Sequence, residues 1–407
     1  MQKNILYITT DISFLESTDA GGGVVENSHL RLFKLNDYKI RILYLNTHLF
    51  STEVAPEIIS TKKVALFGES EVQIDEIQLS KSFSHNFPHR IKRLLTNLTN
   101  YYYPFVNKKN TLFLENYIHT LDVNLIWAQW SYPGLLCSKL KVKNPIFYVH
   151  HDWQYKLVEY KKKKSLKRTF YKNAIKKIEK TFIKKFTAVI CLSYSDYKML
   201  EKENIPALYL PITYDSNPIE TKKEQREKPV LVHLGNLNTT ANRVGLEEFI
   251  QFSWKEIKRK YPTIKLEIIG REVKNNIQFM DVLKKDPNID YFDFVEDLDA
   301  IIHPYDIHII PWNYNTGTRT RVPLIFKHKQ CLLAMQKGVE NINDVKHLEN
   351  SILAKSWGSY TENIIEAIEN HTLRKEISES GYETYKRIYL HNSQKKNLDQ
   401  FITSLIN

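Results

Sequence analysis

Ile307-His-Ile-Ile310-Pro-Trp-Asn-Tyr-Asn-Thr-Gly317-Thr-Arg319-Thr-Arg321-Val-Pro-Leu-Ile-Phe326 is the stretch on which the reading of this chain turns. Ile307 to Ile310 is a short apolar run and reads as a buried strand. Val322 to Lys329 can open a helix. Between them lies a glycine turn that carries two arginines two residues apart. A strand, a glycine turn and a helix amino terminus together form an anion site, because the first helical N–H groups have no partner and the dipole end is positive. Two guanidinium forks add fixed charge matched to phosphate oxygens. The plainer alternative is a surface loop with two solvated arginines.

The same alternation extends outward in both directions. Lys3 to Thr10 reads as a first strand, followed by Asp19-Ala-Gly21-Gly22-Gly23-Val-Val and a helix from Glu26 to Leu35. Ile40 to Leu45, Leu125 to Gln129, Ile146 to Val149, Ala188 to Leu192 and Leu208 to Pro211 read as further strands. Residues 50 to 120 are less regular and hold the cluster Tyr101-Tyr-Tyr103-Pro-Phe105. Residues 217–229 are polar with no apolar period, which marks a linker. The pattern restarts with strands at Val230 to Leu234, Lys265 to Ile269, Ile289 to Phe294, Ile307 to Ile310 and Cys331 to Ala334, and a helix from Arg243 to Lys258. Strands alternating with helices imply parallel sheets covered on both faces. The expected fold class is α/β, with two doubly wound Rossmann-like domains facing a central cleft. The boundaries are 1–216, a linker at 217–229, 230–385, and a C-terminal helix at 386–407 that packs back on the first domain. Ligands in such sheets bind beyond the carboxyl ends of the strands.

Composition excludes several classes. The chain has 407 residues, too many for one ordinary core, and 42% of them are hydrophobic. No apolar run approaches the roughly 20 residues of a membrane-spanning helix, and the apolar stretch near Met1 is too short for a signal peptide. Cys137, Cys191 and Cys331 lie far apart in apolar surroundings, with neither metal spacing nor a disulfide framework, as in a reducing cytoplasm. No acidic Asp-x-Asp motif stands out, so no metal is expected. The net charge is +12, and between Lys156 and Lys185 thirteen Lys or Arg stand against two Glu. In that segment Tyr171, Ile175, Ile178, Phe182 and Phe186 recur near helical spacing, so it reads as a helix with one buried face and a basic outer face. A solvated face, an anionic membrane surface and nucleic acid compete to explain the charge. The membrane is preferred over nucleic acid, since no nucleic-acid motif accompanies the charge.

Five segments, taken in order, resemble the two-domain GT-B glycosyltransferases and, within them, the group-4-like retaining enzymes. They are Gly21-Gly22-Gly23 after the first strand; Phe147-Tyr-Val-His150-His151-Asp152; Ile178-Glu179-Lys180 followed by Ala188 to Ser193; Leu234-Gly235-Asn-Leu with Ala241-Asn242-Arg243; and the Gly317 to Arg321 loop. The resemblance spans nearly the whole chain. It implies a nucleoside diphosphate sugar as donor, with Gly22, Gly23, Arg243, Gly317, Thr318, Arg319 and Arg321 around its diphosphate. His151, next to Asp152 and with His150 beside it, would face the transferred sugar. Its roles there would be a bond to a hydroxyl, support of a cationic transition state through its carbonyl, or a proton shuttle. Asp152 can instead cap the next helix. The acceptor side would lie between residues 48 and 110, which is aromatic and basic (Phe83, Phe87, His89, Arg90, Lys92, Arg93).

One departure stands out. The family's pair of glutamates, eight apart, falls on Thr316 and Leu324, so a ribose would need another partner, such as Glu340. The expected function is transfer of a sugar, with retention, to a hydroxyl of a cell-surface glycan or lipid-linked acceptor, with no cofactor. The enzyme would be cytoplasmic, held at the inner face of the membrane by residues 156–185. The alternatives are a non-catalytic GT-B-like scaffold or lectin-like subunit, and a nucleotide-sugar epimerase or hydrolase.

Overall fold

A computed structural model describes residues 3–12, 15, 21–47, 55–67, 70–81, 99, 102–157, 165–218, 223–271, 277–295, 297–315 and 317–406. Asp19, Ala20, Tyr101, Thr316, the lysine run 161–164 and the basic aromatic residues from Phe83 to Arg93 lie outside them. The chain forms two units, Met1–Ile212 with Gln394–Asn407, and Thr213–Ser393.

The first unit runs β1 (Lys3–Thr9), α1 (Gly21–Leu35), β2 (Tyr38–Asn46), β3 (Glu57–Leu66), β4 (Ser70–Gln78), α2 (Lys108–His119), β5 (Leu125–Gln129), α3 (Ser131–Cys137), β6 (Ile146–His150), α4 (Gln154–Leu157), α5 (Leu166–Phe182), β7 (Ala188–Cys191), α6 (Tyr194–Lys202) and β8 (Ala207–Tyr209). Its sheet has the order β3-β4-β2-β1-β5-β6-β7-β8. All neighbours are parallel except β3 against β4. Period-two alternation divides each strand between two cores. Leu6, Ile8, Ile126 and Ala128 face one, while Ile5, Tyr7, Leu125 and Trp127 face the other. Residues buried on both sides are the signature of a parallel sheet clad by helices. The β3–β4 hairpin falls in the region that reads as irregular. Its polar, lysine-bearing edge strand lacks the apolar run that exposes inner strands to inspection, as edge strands generally do.

The second unit runs β9 (Leu231–Leu234), α7 (Thr240–Phe249), a π turn (Ile250–Trp254), α8 (Lys255–Lys260), β10 (Leu266–Ile269), α9 (Ile277–Lys285), β11 (Ile289–Phe292), β12 (Ile307–Ile310), α10 (Val322–Lys327), β13 (Cys331–Met335), α11 (Gln336–Val339), β14 (Ile352–Ala354), α12 (Trp357–Glu369), α13 (His371–Thr384) and the start of α14 (His391–Ile406). Its sheet, β11-β10-β9-β12-β13-β14, is parallel throughout.

The unit boundaries differ from those read in the sequence. Residues 213–216 belong to the second unit. There Asp215 pairs with Lys327 at 3.2 Å and accepts from Tyr385, and Tyr214 N–H donates to the Tyr389 carbonyl at 3.0 Å. Part of the 217–229 segment is also bound to that unit: Arg226 meets Glu267 at 2.7 Å, and Lys223 donates to the Ala300 carbonyl. At the other end the chain rejoins the first unit at Gln394 rather than at 386. There Leu398 and Ile402 enter its core and Lys3 pairs with Asp399 at 2.5 Å.

In α5, Ala174, Ile175, Ile178 and Phe182 form the buried stripe, and Ser165 caps the start by accepting the Arg168 N–H. Tyr171, expected on that stripe, is 39% exposed and meets Tyr102 edge-on. No described helix is long and apolar enough to cross a membrane.

Candidate active site

Each sheet reverses its winding once, between β1 and β5 in the first unit and between β9 and β12 in the second. The crevice at such a switch point, beyond the carboxyl ends of the strands, is where α/β sheets bind ligands. Several of the sequence-derived candidates lie at these two places.

In the first unit, β1 ends at Thr9, β5 at Gln129 and β6 at His150, and α1 begins beside them. The triple glycine is not a turn ahead of the helix. Gly21 is the first residue of α1, so Gly22 and Gly23 supply its opening turn, which carries no acidic residue. One turn further on, fully buried Glu26 accepts from Thr9 Oγ1 at 2.5 Å and from Trp130 Nε1 at 2.8 Å. Burial holds this carboxyl well above the usual carboxylate range, against the lowering pull of those two donors. The Trp130 indole lies flat on the His151 ring, with centroids 3.7 Å apart and planes 13° apart. Gln129 Nε2 sits 2.9 Å from His151 Nε2. With the amide N–H donating, that ring nitrogen is an acceptor and the proton resides on Nδ1. Burial, aided by neighbouring His29 and His150, drives the His151 pKa well below its ordinary 6.5. A ring in its neutral form orients and hydrogen-bonds through its two nitrogens.

His150, expected beside His151 at the transferred sugar, is 2% exposed and packed beneath the site. Its ring tilts against Trp153 at 4.4 Å, and its Nε2 is 3.6 Å from Asp196. Asp196 also receives Trp153 Nε1 and Lys156 Nζ, both at 3.0 Å. Burial alone would raise the Asp196 pKa, yet His150 and Lys156 bring it down to about 2. This knot braces the end of β6 and is not exposed to a substrate. Asp152 lies in the short link between β6 and α4. The first N–H groups of α4, from Gln154 and Tyr155, are taken by Glu179 of α5 at 2.9 and 3.2 Å.

In the second unit the 311–321 loop joins β12 to α10. Gly317 has φ 62°, which glycine adopts without cost, and its carbonyl accepts from Asn341 at 3.1 Å. Arg321 is folded inward and only 8% exposed. Its Nη1 donates to the Leu234 carbonyl at the end of β9 and to Asn242 Oδ1 at 3.0 Å. Gly235 follows at φ 150°, where a Cβ would overlap both Asn242 and this guanidinium. Burial and the nearby charge of Arg319 pull the Arg321 pKa down to about 9. Among the described residues no carboxylate is paired with Arg321, and its buried Nε has no acceptor. Beneath it lie two fully buried histidines, His233 of β9 and His308 of β12, both held well below their ordinary pKa by burial first and by this arginine second.

Arg319 is half-buried next to Arg321, and Thr318 lies beside it in the loop. Among the described residues Arg243 makes no hydrogen bond or ion pair to this cluster; it pairs with Glu247 one turn along α7 at 3.3 Å. Asn242, its neighbour, is the residue that reaches Arg321, an assignment the sequence did not suggest. Glu340 is within reach of the loop, accepting from Asn315 at 3.0 Å. Glu26, Trp130 and Gln129 were likewise not singled out as a cluster; the signal for them was an acidic residue on the apolar face of α1 and a tryptophan ending a buried strand. Among the described residues no group of His, Cys, Asp and Glu could hold a metal ion.

No family model and no curated protein sequence matches the chain. Solved structures do. Sucrose-phosphate synthase from Thermosynechococcus elongatus aligns over 99% of both chains with a TM-score of 0.68 at 11% identity. TarM aligns over 100% of this chain and 99% of its own, with a TM-score of 0.66 at 11% identity. HepE from Anabaena, solved in complex with UDP, aligns over 99% and 100% with a TM-score of 0.63 at 10% identity. The chain has the GT-B fold. In GT-B terms, the sheet with Trp130 and His151 is the N-terminal unit and the sheet with Arg321 the C-terminal one.

Proposed function

We propose that this GT-B chain is a glycosyltransferase that takes its sugar from a nucleoside diphosphate donor. One observation carries the reading. Among the described residues Arg321 is a buried cation with no carboxylate partner, set at the switch point of the second sheet beside a second arginine and a glycine whose missing Cβ leaves room for its guanidinium. An uncompensated buried charge is costly, and an anion arriving there removes that cost. As the bond to the sugar breaks, negative charge grows on the diphosphate, and fixed cations there stabilise the transition state more than the ground state. Thr318, Arg319 and Arg321 would hold the diphosphate, Gly317 would shape the loop, and Glu340 is the carboxylate placed to reach a ribose. The N-terminal amides of α1 at Gly22 and Gly23 offer the same phosphate-binding chemistry on the first unit.

Trp130 and neutral His151 form a flat, hydrogen-bonding wall suited to the transferred sugar. The acceptor in this reading is a hydroxyl of a cell-surface or lipid-linked glycan, and retention of configuration follows the resemblance alone. Proteins of similar fold support the substrate class: HepE was solved with UDP and glucose, and TarM with fondaparinux, α-GlcNAc-glycerol and UDP. We also place the chain on an anionic membrane. On α5, Leu166 and Phe170 stand exposed at 92% and 53% among Lys167, Lys176 and Lys177, the makings of an interfacial helix.

The test is calorimetric titration with UDP, GDP and ADP. One of them should bind the parent, and Arg319→Ala should weaken it by about tenfold or more, the weight of a charge-assisted bond, with an unchanged unfolding midpoint. A parent that binds none of the three, or an Arg319→Ala protein that binds like the parent, refutes the reading.

A further inference from the structure

A second cationic place exists in the first unit, at the opposite end of its sheet from Trp130 and His151. A cavity of about 710 Å³ is bounded by the 137–146 segment, Lys185, Thr187 and the α14 residues Leu405 and Ile406. It opens at the amino ends of β6 and β7, since Ile146 begins β6 and Thr187 directly precedes β7. Between α3 and β6 the chain runs Lys139-Leu-Lys141-Val-Lys143, with the three lysines exposed and Leu140 and Val142 half-buried against the core. Exposed lysines alternating with half-buried apolar residues set the three lysines on the outward side of the segment. Lys185, the last residue of the basic run, adds a fourth.

No Asp or Glu lines this cavity, and none of the four lysines has an ion pair among the described residues. The Glu115 carboxylate meets the segment at its main chain, accepting the Lys141 N–H at 2.6 Å. Four like charges with no ion-pair partner among the described residues repel one another. An anion with several oxygens offsets this. The walls are not purely polar, because Leu140, Val142, Leu405 and Ile406 contribute hydrocarbon.

We propose that this cavity binds the phosphate headgroup of an anionic lipid. The lysines take the phosphate oxygens, and the apolar walls take the first methylenes of the attached chain. The combination of charge and hydrocarbon favours a lipid over a free phosphate, and continuity with Lys184 and Lys185 at the end of the basic segment places the cavity on the same cationic surface. No covalent step is involved, and the proposal stands whether or not the chain transfers sugar.

The experiment is sedimentation with vesicles of phosphatidylglycerol or of phosphatidylcholine. The parent should bind only the first. Replacing Lys139, Lys141, Lys143 and Lys185 together by Gln should lower partitioning on the order of a thousandfold, from the usual increment per basic residue near a charged surface. These are surface positions, so the unfolding midpoint should hold. In parallel, acetylation of the unmodified protein is read by mass spectrometry with and without vesicles. Lys139, Lys141 and Lys143 should be protected by phosphatidylglycerol, whereas millimolar inorganic phosphate protects them little. Equal sedimentation of parent and variant, or protection by inorganic phosphate as strong as by vesicles, overturns the proposal.

Discussion

Trp130 is held at φ 74°, a region that costs a non-glycine residue about 1–3 kcal/mol and persists only where surrounding contacts impose it. The contacts here are the Glu26 carboxyl on its Nε1 and the His151 ring on its face. Glu26→Ala removes the acceptor of two buried donors, Thr9 Oγ1 and Trp130 Nε1, and should cost about 1–3 kcal/mol in urea unfolding. Glu26→Gln keeps an acceptor oxygen and should cost clearly less. Equal losses would show that these bonds do not hold the indole. Glu179 makes a pH prediction. Burial raises its pKa from 4.5 to about 7 even though two backbone N–H groups pull the other way. The folded state therefore holds a proton that the unfolded chain has lost between those values. Its stabilising contribution is complete below pH 4.5 and is lost as pH rises through 7, roughly 3 kcal/mol in all at 1.36 kcal/mol per pKa unit. Glu179→Gln should flatten that part of the stability profile; an unchanged slope would assign it elsewhere.

At the scale of elements, α5 separates two kinds of apolar residue. Ile175 is 1% exposed in the core, and Ile175→Ala should cost about 2–5 kcal/mol. Leu166 and Phe170 are exposed, so Leu166→Ser with Phe170→Ser should move stability by no more than about 0.5 kcal/mol while weakening binding to phosphatidylglycerol vesicles. A large loss of stability in that pair would mean the face is packed after all. The same helix shows what sequence periodicity can and cannot convey. The stripe from Ile175 to Phe182 was legible because a 3.6-residue period repeats over several turns. Tyr171 was misjudged because its ring has a neighbour, Tyr102, distant in sequence. Inner strands such as β5 and β12 were legible as short apolar runs, whereas β3 and β4, at a polar edge, were not. In the candidate sites, Gly317, Arg319 and Arg321 could be found from a glycine turn between a strand and a helix. Asn242 and Glu26 could not, since their roles come from partners in other elements: Arg321 in one case, Thr9 and Trp130 in the other. The direction in which Arg321 points is likewise a property of the packed loop and of no local pattern.

At the scale of the whole molecule, the first unit is assembled from two distant stretches of chain, with the second unit inserted between them. Leu398 and Ile402 are fully buried in its core, each worth about 2 kcal/mol or more. Deleting residues 394–407 should therefore lower the stability of the first unit by at least about 4 kcal/mol and leave the second largely intact. Calorimetry should show one transition moved down and one nearly unmoved; a common shift of both would mean that the units unfold as one. This arrangement has a consequence for biogenesis. On the ribosome, the N-terminal half emerges first yet lacks a wall of its core until residues 394–407 have been made, whereas the inserted unit is already complete by residue 393. The later half is then the first able to reach its native state, and the earlier half waits with apolar surface open to chaperones.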